Sequence, residues 1–110
     1  SGVVYRGVSL TKDQLKTYVP GAELLWRGFT SSSVDPKRAC EYAENVLFKI
    51  DSHNGREIWK TSMYQFEKEI LFHKAQNFRV IKVETDRQII KDETRCNKKG
   101  LVMIHVEEVI

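Results

Sequence analysis

Apolar residues in this chain come in short bursts with no long stripes, and the interval between bursts predicts the elements. Residues 3–8 read as a short strand, since Val3, Val4, Tyr5 and Val8 crowd an extended stretch. Thr11 followed by Gln14 has the spacing of a capping box, so a helix starts there; it ends near Tyr18, ahead of Pro20-Gly21. Residues 23–30, with Leu24, Leu25, Trp26 and Phe29, predict a second strand. Asp35-Pro36 opens a second helix with proline at its first position, filled by residues 37–43. From there the pattern is extended: strands over 46–51, 57–60, 69–72, 78–84, 87–91 and 101–109. Asn54-Gly55 and Lys98-Lys99-Gly100 mark turns. In the last strand Val102, Ile104 and Val106 are expected to face inward, and Met103, His105 and Glu107 outward.

Seven or eight short strands with two short helices near the N-terminus predict an α+β fold of two packed, mostly antiparallel sheets. At 110 residues the chain is read as a single domain spanning 1–110, and a monomer is expected. Its 18 basic and 15 acidic residues are interspersed, so no charged arm suggests nucleic acid as a partner. No apolar run reaches the roughly 18 residues that would span a bilayer. Ser1-Gly2 reads as a cloning remnant, and nothing in the chain specifies a compartment. Cys40 and Cys96 match no metal-ligand spacing and are expected as free thiols ahead of a disulfide; His53, His73 and His105 are scattered, so no metal is expected.

Three short motifs could carry chemistry: Tyr5-Arg6-Gly7 on the first strand, Phe29-Thr30-Ser31-Ser32-Ser33 after the second, and Glu67-Lys68-Glu69 running into Ile70-Leu71-Phe72. Taken singly, each is ordinary: a surface arginine, a serine-rich strand end with Ser33 or Asp35 capping the next helix, and a charged entry to a strand. Together they supply a fork for phosphate oxygens, hydroxyl donors, and carboxylates that could stabilise a sugar cation. No histidine lies where it would activate a serine as a nucleophile.

The order of these motifs resembles the arginine–serine–glutamate signature of the mono-ADP-ribosyltransferases, and the likeness runs from about Val3 to Glu84. The resemblance implies a split β-sandwich fold, NAD as co-substrate and a protein acceptor carrying arginine. It implies that Arg6 binds the dinucleotide, that the main chain of Gly7 holds the nicotinamide amide, and that Ser31 orients the catalytic glutamate. Ser32 stands where threonine is commoner. Gln65-Phe66-Glu67 offers a competing register, but in the family the catalytic glutamate abuts the apolar strand, as Glu69 does; Glu67 then takes the acceptor side. Glu69 would stabilise the oxocarbenium-like cation, and Glu67 would orient the guanidinium and help remove its proton. Residues 34–45 correspond to the loop over phosphate and nicotinamide, with Arg38 and Tyr42 as its contacts. Tyr42 could instead pack its helix on the sheet. Tyr64 and Phe66 face the acceptor, with a staple under the loop as the alternative for Phe66. Trp26 is read as core.

The family usually carries a helical segment ahead of the arginine strand. Here the arginine is the sixth residue, so the chain is read as trimmed or as a minimal form with a more open cleft. The reading is therefore an NAD-dependent transferase modifying protein arginine, with an NAD glycohydrolase or a catalytically silent binding module of the same fold as alternatives.

Overall fold

The computed structural model describes residues 2–26, 30–52, 69–72 and 76–109. In chain order these form β1 (Gly2–Val8), α1 (Lys12–Leu15), β2 (Glu23–Trp26), β3 (Thr30–Ser33), α2 (Pro36–Tyr42), β4 (Val46–Ser52), β5 (Glu69–Phe72), β6 (Gln76–Glu84), α3 (Arg87–Thr94) and β7 (Val102–Glu108). The strands hydrogen-bond in the order β2-β6-β7-β4-β1-β3-β5. All neighbours are antiparallel except β4 and β7. The α+β class with mostly antiparallel pairing is as expected. The join between β1 and β3 is one bridge, Tyr5↔Ser33, whereas β1 and β4 pair along seven residues. The sheet therefore divides at that join into a five-stranded part and the pair β3–β5.

Local sequence signals account for the helix starts. Thr11 Oγ1 accepts from the Gln14 amide at 3.1 Å and Gln14 Oε1 accepts from the Thr11 amide at 2.9 Å, closing the capping box. Asp35 caps α2 by accepting from the Lys37 amide at 3.0 Å, with Pro36 behind it.

The two sheet faces bury different sets. Val4, Val46, Phe48, Ile50, Phe78, Val80, Ile104 and Val106 pack on the first face, with Leu10, Leu15 and Tyr18 from around α1 laid over them. The Tyr18 and Phe48 rings meet edge to face at 5.4 Å. On the second face α2 and α3 bring Ala39, Cys40, Ala43, Ile90 and Cys96 against Leu47 and Met103. An irregularity between Val80 and Lys82 of β6 inserts a residue, so that Val80 and Val83 both turn to the first face while Ile81 stays exposed.

Four expectations are corrected. Residues 23–30 are not one strand: β2 pairs with β6 at one end of the sheet order and β3 with β1 and β5 at the other, so the chain must leave one and enter the other. Residues 87–91 are helical, because the Asp86 carboxylate accepts from the amides of Gln88 and Ile89, and this cap overrides the strand preference of Ile89-Ile90. Met103 is buried, because helices cover the second face too. Cys40 and Cys96 are joined in a disulfide, Cα to Cα 5.7 Å, since α2 and the chain after α3 land on the same face. The turn expected at 53–56 and the strand at 57–60 lie outside the described residues.

Candidate functional site

Alternation along β1 turns Val4, Arg6 and Val8 to the first face and Tyr5 to the second. Arg6 is half-buried, and burial pulls its guanidinium below the ordinary arginine value while nearby Tyr18 pushes it back up. It stays a cation, and in a partly dry setting its attraction to a phosphate is stronger than in open water.

β3 and β5 follow β1 in the sheet order, so the three strands that carry the sequence motifs lie side by side. Their register is Tyr5↔Ser33 and then Ser33↔Glu69, Ser32↔Ile70 and Ser31↔Leu71. At a strand spacing of about 4.8 Å, β1 and β5 are roughly 10 Å apart, a span a dinucleotide can bridge. The residue directly opposite Glu69 is Ser33, with Ser31 two positions along on the same strand. Ser33 closes the serine motif and by sequence is also a candidate cap; it is 6% exposed and its Oγ accepts from the Asp35 amide at 3.1 Å. Its place opposite Glu69 needed the strand register. The side chains of Ser31, Ser32 and Glu69, and all of Tyr64, Phe66 and Glu67, lie outside the described residues.

α2 starts three residues beyond Ser33 and carries Arg38, half-buried, and Tyr42. Tyr42 is 66% exposed, so its ring does not pack the helix on the sheet and is open to a ligand. Gly7 has a use the motif alone did not reveal. A Cβ there would strike the Ala39 carbonyl oxygen and lie 2.5 Å from the Ala43 nitrogen, so its missing side chain makes room for the α2 backbone.

A second cluster of titratable groups lies on the second face: a cleft lined by Lys49, Lys82, Glu84, Glu93, Met103 and His105. Lys49 is paired with Glu93, and Lys82 with Glu84 at 3.1 Å. Burial first, then Lys49, holds the His105 imidazole below its usual value, against Asp51, Glu93 and Glu107. Two of those ion pairs already balance this cleft, and β1 separates it from the strands bearing the serines and Glu69. Among the described residues no group of three or more His, Cys, Asp or Glu side chains is placed to hold a metal, and no helix is long and apolar enough to cross a membrane.

Comparison with known proteins bears on the family and the fold. The family described as NAD:arginine ADP-ribosyltransferase matches residues 1–98. A putative NAD(+)–arginine ADP-ribosyltransferase, Mav, from Mycobacterium avium (strain 104) is 39% identical over 89 residues, covering 79% of this chain. The match spans 11% of that protein's length. The catalytic domain of VahC from Aeromonas hydrophila superposes with a TM-score of 0.72 at 22% identity, over 98% of this chain and 60% of that one. The ADP-ribosyltransferase Vis from Vibrio splendidus, in complex with agmatine, superposes with a TM-score of 0.68 at 22% identity, over 99% of this chain and 49% of that one. These structural likenesses bear on the fold.

Proposed function

The chain belongs to the NAD:arginine ADP-ribosyltransferase family, and from that premise we propose that it transfers ADP-ribose from NAD to arginine side chains of a protein, releasing nicotinamide. The observation that carries the reading is the adjacency of β1, β3 and β5, which sets Arg6, the serine strand and Glu69 on three neighbouring strands. Arg6 would hold the pyrophosphate. The Gly7 main chain would hold the nicotinamide amide, and Arg38 and Tyr42 on α2 would contact phosphate and nicotinamide. The bond from the ribose anomeric carbon to the nicotinamide nitrogen breaks, and nicotinamide leaves with the bonding pair. Glu69 would stabilise the cation left on the sugar, and Ser31 and Ser33 would fix its carboxylate. Glu67 would take a proton from the incoming guanidinium, whose nitrogen then bonds to the anomeric carbon. An arginine acceptor is supported by the name of the Mycobacterium avium relative and by the agmatine complex of Vis, since agmatine presents a guanidinium. No metal enters this scheme.

The test is incubation with labelled NAD and an arginine-rich protein. Glu69→Gln should abolish both transfer and nicotinamide release. Glu67→Gln should lose transfer to arginine by at least about a hundredfold, the lower end of a general-base contribution, while NAD hydrolysis persists. Arginine transfer surviving in Glu67→Gln would show that the two carboxylates have been assigned the wrong roles; no label transfer and no nicotinamide from the unaltered chain would reject the reading altogether.

A further inference from the structure

α2 is held at both ends, by different parts of the chain. Its start is tied to β3 through Ser33 and Asp35. Its end is gripped from the far side of the sequence. Lys98 Nζ donates to the Cys40 carbonyl at 2.6 Å and to the Ala43 carbonyl at 2.5 Å, and Cys40 is bonded to Cys96. The lysine adds a second donor to the Cys40 carbonyl, which also accepts from the Ala43 amide at 3.1 Å, and at the helix end it meets the negative end of the helix dipole.

The anchor is itself rigid. Cys96 N donates to Thr94 Oγ1 at 3.1 Å, and Thr94 Oγ1 donates to the Ile90 carbonyl at 2.7 Å. Arg87 Nε donates to Asn97 Oδ1 at 2.8 Å, so residues 96–98 are fixed to α3. Below the grip, the backbone of Ala39 and Ala43 sits directly on Gly7, the neighbour of Arg6. Any lift of α2 would therefore move the residues after Ser33 and carry Arg38 and Tyr42 away from β1.

We propose that Lys98 and the Cys40–Cys96 disulfide form a two-point clamp on α2 that positions the β3–α2 segment for binding the dinucleotide. Lys98 is a positioning residue: it acts through α2, on an NAD site whose use rests on the function proposed above.

The experiment compares the unaltered chain, the same chain reduced by a dithiol, Lys98→Ala and Lys98→Arg. Reduction passes two electrons and two protons to the cysteines while the dithiol closes to its own disulfide. The first readout needs no NAD: amide hydrogen exchange at Ala39 and Ala43, whose N–H groups bond the carbonyls of Asp35 and Cys40, with Leu47 in β4 as the control for an intact fold. The second is the KM for NAD against kcat. In Lys98→Ala and in the reduced chain, exchange at Ala39 and Ala43 should quicken about tenfold and the KM should rise about as much, with kcat within about twofold. Lys98→Arg should restore both, because it keeps charged donors at the carbonyls. Should Lys98→Ala expose Leu47 as well, the reduced chain and Lys98→Arg decide the matter. Unchanged exchange in the reduced chain, or faster exchange with an unmoved KM, overturns the clamp. An unaltered chain that cannot cleave NAD overturns the proposed function and the clamp's role in it, whereas the exchange result alone reports on the clamp.

Discussion

Gly7 and His105 are two positions where one side chain, or its absence, sets a measurable property. At Gly7 the clash of an added Cβ is with backbone, which cannot rotate away. Gly7→Ala should cost about 1–3 kcal/mol, the usual penalty for overpacking, read from the midpoint of urea unfolding. An unshifted midpoint would mean that α2 rides higher than described. At His105 burial depresses the native pKa below the 6.5 of the unfolded chain. Between that depressed value and 6.5 the unfolded state binds more protons, so stability rises with pH through the window and falls on acidification. His105→Gln should flatten that slope between pH 7.5 and the acid side of the window, and an unchanged slope would point to other groups. Residue signals with a local partner were readable in advance: Thr11 with Gln14, and Asp35 with Pro36, need nothing beyond three or four neighbours in sequence. Lys98 was not readable, since its two carbonyl partners lie 55 and 58 residues away.

At the scale of elements, the strands of the central sheet were legible because each shows a compact apolar burst between turn residues. α3 was not, because two adjacent isoleucines are ambiguous between an extended chain and a short helix. The Asp86 cap decided it. Asp86→Ala should therefore cost about 1 kcal/mol, seen as a drop in thermal midpoint. A silent substitution would leave packing of Ile90, which is 1% exposed, as the sole reason the helix forms. The division of residues 23–30 into β2 and β3 was equally hidden, since two apolar bursts separated only by Arg27-Gly28 give no local sign that they serve opposite ends of a sheet. For the candidate site, the motifs were visible as motifs. Their adjacency, and the placing of Ser33 opposite Glu69, came only with strand order and register.

Over the whole molecule, the disulfide closes a loop of 56 residues that contains β4, β5, β6 and α3. Restricting the unfolded chain in this way is worth about 4 kcal/mol by the loop-entropy relation. Reduction should lower the urea midpoint accordingly, beyond any local effect on α2. A reduced chain as stable as the oxidised one would place the benefit of the bond in geometry alone. Free thiols were expected because spacing alone gives no reason to pair two cysteines so far apart; the sheet supplies it, by stacking α2 and α3 on one face.

The last described strand in chain order is also a central one. β7 lies between β6 and β4, joined to β4 by the parallel pairing. Until it inserts, β2 and β6 have, among the described strands, no hydrogen-bonded route to the half that holds Arg6 and Glu69. A nascent chain thus carries its motif residues long before the keystone that unites its two halves. The family match ends at residue 98, short of that strand, so a fragment trimmed to the match would keep every signature residue and lose the middle of the sheet.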